Sequence, residues 1–423
     1  MRKIVFRFFF IYFLFATALW QLFEFIPGLS AITYFINDAF VPVVTFCNDH
    51  LFHVKDKLNI NGGGSGDTSY AWAYFYTTLL LAAFGALLWT VLERKPKSYD
   101  KLDWFLRNLL RYFIIIIAFL YGTIKLFAMQ MPEPGLSQLA TPLGDYLPMR
   151  LSWMFFGYSS PYQIFSGVME VIVALLLLYR RTIPTGLLLG FGVFLNVFIL
   201  NLCFDIPVKL FSMHLVIYCL YLIIIDAPHY LNFLWRNQPV GRLTSFDISL
   251  TKKHWKIARV AVKILVVLLF GGLSLYQSWA WREEFYQTNI QKPITPGIYY
   301  VTSFKKNNTE IPISLANDTI WKDIIFQDNG RGSIMTTDTL LTQNYNRGYF
   351  SYTVKPKEKT IVFSPSGNTD KVLFKLQYQQ TGAKTMQLYG KIEHDSVVFN
   401  LVKSDRKFQL AEKQFHWISE ANR

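Results

Sequence analysis

The chain has 423 residues, 52% of them hydrophobic and only 17% charged, with a formal charge of +14. So little charge argues against a soluble protein of this size, and apolar runs of about twenty residues recur up to Ala280 and then stop, the signature of membrane spans. Lys and Arg flank those runs instead of forming a stripe with interleaved aromatics. That excludes nucleic-acid binding and makes them topology determinants and headgroup anchors.

In chain order, Arg2 and Lys3 precede an apolar run, Ile4–Phe25, that lacks the short core and A-x-A-like site of a cleaved signal peptide, so it reads as a retained first span. The apolar stretch Ala31–Phe46 is broken by Asn37, Asp38 and Pro42 and is expected to lie on, or dip into, the outer interface. Asn61-Gly62-Gly63-Gly64-Ser65-Gly66 is a turn region, and Asp67, Thr68 and Ser69 supply N-caps for a second span, Tyr70–Leu92. No strand precedes those glycines and no Gly-Lys-Ser/Thr closes them, which argues against a phosphate cradle. Five more spans follow: Leu109–Met129, Tyr162–Leu178, Pro184–Cys203, Val208–Ile225 and Val260–Trp279.

The connections set the orientation. Basic residues crowd the N-terminus (Arg2, Lys3, Arg7), the link between spans two and three (Arg94, Lys95, Lys97, Lys101, Arg107, Arg111), that between four and five (Arg180, Arg181) and that between six and seven (Arg236, Arg242, Lys252, Lys253, Lys256, Arg259). The alternate links carry Lys55 and Lys57, Lys125 and Arg150, and Lys209. With seven spans, the positive-inside rule places the N-terminus in the cytoplasm and the C-terminal region outside, in the periplasm of a bacterial inner-membrane protein.

After Pro293 the pattern changes to period two. Gly297–Phe304, Thr319–Phe326, Gly332–Thr337, Tyr349–Val354, Lys359–Phe363, Lys371–Tyr378, Lys384–Ile392 and Ser396–Val402 are β-prone runs separated by turn signals such as Asp328-Asn329-Gly330 and Asn346-Arg347-Gly348. Such spacing implies an antiparallel meander closing into a small barrel, lipocalin-like in outline. The domains expected are residues 1–280 in the membrane, a linker at 281–295 and a β domain at 296–423. The aromatic cluster Phe415-His416-Trp417-Ile418 is expected to plug one end of the barrel. The acceptor triplets at Asn307 and Asn317 are read as chance in a bacterial chain.

Cys47, Cys203 and Cys219 form no CxxC or haem-attachment unit. Cys219 is expected to pack within a helix, and a bond between Cys47 and Cys203 near the outer face is left open. No nucleophilic triad and no HExxH occurs. His50 and His53 beside Asp49 make a weak metal pattern, and no metal site is assigned.

Ionisable groups inside a bilayer cost about 2.5–3.5 kcal/mol each near a span centre, so their positions point to function. Gln163, Ser166, Gly167 and Glu170 share one face of the fourth span. Tyr121 and Lys125 lie one turn apart near the outer end of the third. Asn196, Asn201 and Asp205 come from the fifth, and Lys209, Ser212 and His214 from the sixth. These groups predict a polar pocket among spans three to six, opening outward. The bland alternatives are that Lys125, Asp205 and Lys209 snorkel to the interface and pair there, that Glu170 bonds Asn196 as glue between helices, and that His214 is a satisfied packing histidine.

Tyr121-Gly122-x-x-Lys125, Met131-Pro132-x-Pro134, Trp153-x-Phe155-x-Gly157-x-Ser159, Gly167-x-x-Glu170 with Arg180-Arg181, Asn196-x-x-x-x-Asn201-x-x-x-Asp205-x-Pro207-x-Lys209 and Ser212-x-His214 together resemble the core of the DoxX-like membrane proteins. The resemblance covers about residues 109–228 and implies a four-helix bundle. Some relatives act with thiosulfate:quinone oxidoreductases or other respiratory and redox systems. The first, second and seventh spans and the β domain are additions to that pattern. The reading that follows is a DoxX-like protein binding a small amphipathic molecule, a quinone or lipid, in the outer-half pocket. No cofactor motif is evident, a quinone is compatible, and the partners implied are the bilayer and a respiratory or periplasmic protein. The contrasting reading is a non-enzymatic scaffold or transport accessory whose β domain handles a partner or apolar ligand.

Overall fold

The computed structural model describes the chain except residues 1, 26–27, 63–64, 94–97, 242, 244–245, 247–251, 288–291, 314–320, 337, 339–340, 369, 413–414 and 421–423. Arg94, Lys95, Lys97, Arg242 and the triplet at Asn317 therefore lie outside the described residues. The chain forms two compact units, Met1–Gln130 with Ile164–Ser278, and Met131–Gln163 with Trp279–Arg423.

The first unit is helical: α1 (Arg2–Ala16), α2 (Ser30–Cys47), α3 (Ser69–Leu92) and α4 (Asp100–Leu126) come from the N-terminal part. Within residues 131–163, which belong to the second unit, stand α5 (Leu136–Leu139) and α6 (Pro148–Tyr158). Then come α7 (Ser160–Leu178), α8 (Ile183–Cys203), α9 (Lys209–Ile225), α10 (Ala227–Leu234), α11 (Lys253–Val266) and α12 (Ser274–Tyr286). Among the described residues seven helical stretches are long and apolar enough to cross a membrane. They are Lys3–Gln21, Ser30–Phe52, Ser69–Leu92, Asp100–Leu126, Ser160–Leu178, Ile183–Cys203 and Lys253–Tyr286. The bent pair α9–α10, with an 80° turn at Asp226 and Pro228, would be an eighth.

The number seven matches the expectation, but the membership differs by one: α2 qualifies alone, whereas α9 qualifies only with α10. Contacts separate the two. α1 and α3 run antiparallel, with the Arg7 guanidinium bonded to Thr90 at 2.5 Å near one end and Tyr74 donating to the Phe15 carbonyl near the other. Phe40, in the middle of α2, packs on Tyr74 (5.6 Å between ring centres), and Phe52, beyond its C-terminus, packs on Tyr76 (5.6 Å). Twelve helical residues rise about 18 Å, yet both rings meet the first two turns of α3. So α2 lies across the ends of its neighbours instead of running along them. Trp20 Nε1 donating to Asn37 Oδ1 (2.9 Å) and Thr33 Oγ1 to the Trp20 carbonyl (2.6 Å) pin it there. Asn37, one of the residues that interrupts the apolar run, is thus the acceptor that holds the segment.

By contrast α9 runs the full length. At one end the Asp67 carboxylate accepts from the Lys209 and Leu210 backbone N–H groups (2.8 and 3.0 Å), and at the other Asp226 receives Arg107 at 3.1 Å. Arg111 sits between, its guanidinium donating to the Leu177 and Leu178 carbonyls at the C-terminus of α7 (2.6 and 3.0 Å), where unsatisfied carbonyls and the helix dipole favour a cation.

The second unit contains a closed barrel. Strands β1 (Gly297–Lys306), β2 (Thr309–Ile311), β3 (Asp323–Phe326), β4 (Arg331–Met335), β5 (Arg347–Lys355), β6 (Thr360–Pro365), β7 (Phe374–Gln380), β8 (Thr385–Ile392) and β9 (Asp395–Lys403) pair antiparallel in the order β2-β1-β3-β4-β5-β6-β7-β8-β9. β1 also pairs with β9, which closes eight strands into a barrel and leaves β2 as an extra hairpin strand on the end of β1. All eight predicted runs are barrel strands; β2 is too short to carry a period. Eight strands enclose a space that side chains can just fill, and here rings fill it: Trp321 stacks on Phe399 (4.4 Å), Phe363 meets Phe374 (4.7 Å) and Phe350 (5.0 Å), and Phe326 meets Tyr352 (4.9 Å). The barrel therefore holds a core where a lipocalin holds a ligand.

Three expectations are corrected here. Phe415, Trp417 and Ile418 are 73%, 91% and 77% exposed and do not plug the barrel, whose interior is already packed. The proposed linker begins inside helix α12, which continues to Tyr286. And the segment Met131–Gln163, expected within the membrane domain, belongs to the same compact unit as the β domain.

Candidate functional site

The first unit brings Lys125 and Glu170 together. Lys125 Nζ donates to Glu170 Oε1, and the two side chains are 8% and 2% exposed. Their helices can approach because glycines face each other one turn away. A Cβ on Gly122 would meet Val171 Cγ2 at 2.9 Å and the Gly167 carbonyl at 3.1 Å, and a Cβ on Gly167 would meet the Gly122 carbonyl at 2.7 Å. Gly-x-x-Lys on α4 thus opposes Gly-x-x-Glu on α7, the close crossing that small residues permit between membrane helices. Lys125 stands about 27 Å along α4 from Arg107, a distance comparable to the thickness of a hydrocarbon layer, about 30 Å. Glu170 Oε1 is taken by the ammonium, while Oε2 is buried with no hydrogen-bond partner among the described residues. Such an atom inside a low-dielectric bundle is costly unless something donates to it.

The other predicted site residues do not join this pair. Gln163 makes a two-way amide pair with the Met131 backbone, receiving its N–H at 3.0 Å and donating to its carbonyl at 2.8 Å. Asn201 donates to Ser212 Oγ at 2.9 Å, a bond between α8 and α9. Asp205, exposed and in a left-handed conformation (φ 49°), pairs with Lys209 at 2.7 Å, and Lys209 also faces Asp67 at 3.8 Å. Asp205 and Lys209 thus pair with each other, as the bland alternative for them expects. Asn196 is exposed, so neither a pocket role nor glue to Glu170 is realised. Tyr121 is 38% exposed with its ring 6.0 Å from Phe211. His214 donates its Nδ1–H to the Leu210 carbonyl (2.6 Å) and shares a hydrogen bond with the Tyr12 hydroxyl through Nε2 (2.7 Å), so both ring nitrogens are engaged. One shared pocket opening outward among these residues is therefore not formed. The set divides into separate hydrogen-bonded pairs and exposed side chains, and among the described residues Glu170 of the Lys125–Glu170 pair keeps a buried oxygen without a partner. Cys47, Cys203 and Cys219 are all free thiols. His50 is stacked on Phe46 (4.3 Å).

Several clusters had no local signal in the sequence. At the opposite end from Asp67, Arg7 pairs with Glu93, which also accepts from Tyr99. In the second unit, Arg347 is fully buried and gives a two-pronged bond to Asp323 (2.8 and 3.0 Å), a bond to Ser333 (3.1 Å) and one to Thr141 (3.1 Å). Asp323, Met335 and Arg347 lie in register on β3, β4 and β5, with the arginine reaching across the middle strand on the outer face of the barrel. Ser137 of α5 receives the Ser333 hydroxyl bond at 2.8 Å, so residues 137–141 cover the ion pair and close it off from water. A fork-shaped cation against a carboxylate is the form of ion pair best able to survive burial. Beside it, Tyr146 donates to the Gln138 carbonyl (2.6 Å), and burial pushes its phenol upward, keeping it a donor.

The same unit holds a cleft of about 490 Å³ lined by the loop after Met131, α6, the end of α12 and the β3–β4 turn.

These features define a polytopic membrane protein whose helical unit contains a buried lysine–glutamate crossing and whose C-terminal unit is a closed, solid-cored barrel. Over 130 residues the chain is 32% identical to the uncharacterized protein YwoB of Bacillus subtilis (strain 168), an alignment covering 31% of this chain and 82% of that protein. The chain belongs to the family of that protein. No protein-family model and no solved structure matches it.

Proposed function

We propose that this is a DoxX-like protein of the bacterial inner membrane, N-terminus in the cytoplasm and barrel in the periplasm, that holds the polar end of a quinone or lipid at Lys125–Glu170. The observation that carries the reading is Glu170 Oε2, buried beside a lysine and with no hydrogen-bond partner among the described residues. A carbonyl oxygen of the guest accepts from the Lys125 ammonium, and a hydroxyl of the reduced guest donates a hydrogen bond to the Glu170 carboxylate. Association with a respiratory redox partner is the role such a guest implies.

The test is photo-crosslinking of the detergent-purified chain with an azido-quinone, comparing wild type, Glu170→Gln and the double variant Lys125→Met/Glu170→Gln. The double variant removes both charges, avoids the uncompensated ion that makes single variants unstable, and is expected to cut crosslinking by about tenfold. Wild-type labelling by a folded double variant rejects the site.

A second reading, a scaffold or transport accessory acting through the β domain, is supported by the filled barrel interior, which directs any partner to the barrel's outer surface.

A further inference from the structure

The cleft in the second unit carries its own chemistry, independent of the Lys125–Glu170 pair. Arg150, near the start of α6, and Arg331, at the start of β4, both line it. Neither guanidinium has a carboxylate within ion-pair distance among the described residues. Two acidic residues share the cleft but are placed otherwise: Glu133 accepts from the Ser160 hydroxyl at 3.0 Å, and Asp328 is exposed in the β3–β4 turn. Arg331 is held over the Phe285 ring, its guanidinium carbon 5.8 Å from the ring centre, which fixes the fork without consuming its donors. Arginines that are oriented yet unneutralised are the usual means of holding a carboxylate or phosphate in two-point fashion.

The rest of the lining says what is attached to that anion. Trp153 and Met154 on α6 and Phe285 and Tyr286 on α12 supply an apolar wall. Ser159 alone separates α6 from α7, and Tyr286 ends the apolar stretch Lys253–Tyr286. Chain connectivity therefore joins this wall, through a few residues, to helices long and apolar enough to cross a membrane, and aromatic and basic side chains concentrate at the ends of such helices.

We infer that the cleft lined by Arg150, Arg331, Trp153 and Phe285 binds the phosphate or carboxylate headgroup of an anionic amphiphile. The guanidinium forks take the oxyanion and the aromatic wall takes the first methylenes of the chain. A volume of about 490 Å³ accommodates a headgroup with its glycerol but not a whole diacyl lipid, so the tails leave the cleft.

The test uses the full chain in detergent with dihexanoyl phosphatidic acid as one probe and inorganic phosphate as the other, read by native mass spectrometry. Wild type is expected to hold the short-chain lipid, and Arg150→Gln/Arg331→Gln to bind it about tenfold more weakly. Lys357→Gln/Lys384→Gln removes two exposed charges elsewhere on the barrel and should bind as wild type does. If the glutamine variant does not fold, Arg150→Lys/Arg331→Lys keeps both charges and loses only the planar forks, with about threefold weaker binding expected. Unchanged lipid binding by a folded glutamine variant, or by the lysine variant where the glutamine variant fails, overturns the site. Inorganic phosphate binding as tightly as the lipid overturns the amphiphile and leaves a free-anion site. None of these results bears on Glu170, whose variants lie in the other unit.

Discussion

At the scale of single residues, the molecule keeps its costly groups in pairs and lets each pair fail separately. Removing one member of a buried ion pair strands the other, at about 3–5 kcal/mol. Lys125→Met and Glu170→Met should each lower stability in detergent by that order, measured by SDS titration or thermal aggregation, while the doubly neutral Lys125→Met/Glu170→Met recovers most of it. Asp395 behaves differently because it is at the surface. Lys306 (2.7 Å) and then Asn307 (2.8 Å) hydrogen-bond its carboxylate and hold it below the usual aspartate range. A carboxyl that ionises more readily in the folded state adds stability above its unfolded-state value, and that addition disappears as pH falls through the lower folded value. Asp395→Asn should therefore lower the barrel's stability near neutrality and leave it unchanged in acid below the folded value, flattening the acid limb of the profile, as followed by tryptophan fluorescence.

Elements are where the sequence is most and least informative. The eight barrel strands are legible because inward residues alternate along each run, as in Phe350, Tyr352 and Val354. The spans are legible because lipid leaves no alternative to long apolar helices. Arg347 is another matter. Read locally it belongs to an Asn-Arg-Gly turn, and its partners Asp323 and Thr141 lie 24 and 206 residues away. No periodicity encodes an arginine on the outer face of a barrel that becomes buried because a distant loop covers it. The candidate site was half legible for the same reason. Cost in the bilayer singled out Lys125 and Glu170, but cost alone cannot say which polar groups share a hollow, and Asn201, Gln163 and His214 each found a partner nearby. Two predictions belong here. Gly167→Val should force α4 and α7 apart and cost at least the 1–3 kcal/mol or so of ordinary overpacking, since a backbone carbonyl blocks the new methyls. Arg347→Met should destabilise the barrel by about 3–5 kcal/mol and speed amide exchange in residues 137–141, where it removes the bond to the Thr141 hydroxyl. Unchanged exchange there would show that the loop is held by something else.

At the scale of the whole molecule, orientation in the bilayer assigns each end to a compartment. The proposed orientation puts Ser98 inside and the Asp67 end, with the exposed thiol of Cys203, outside. A membrane-impermeant maleimide should label native Cys203 in intact spheroplasts and should label Ser98→Cys, made in a Cys203→Ser background, only after lysis. The reverse pattern inverts the assignment of the barrel to the periplasm.

The transverse placement of α2 gives that question a sharper edge. A segment hydrophobic enough to be threaded through, yet tethered by Trp20 and Thr33 so that it returns where it started, decides the parity of every later passage. Substituting leucine for Asn37 and Asp38 would release it into the lipid, and the translocation machinery would then deliver an identical barrel to the wrong compartment. On the proposed orientation, two polar side chains in a run of apolar ones would fix the address of the last third of the polypeptide.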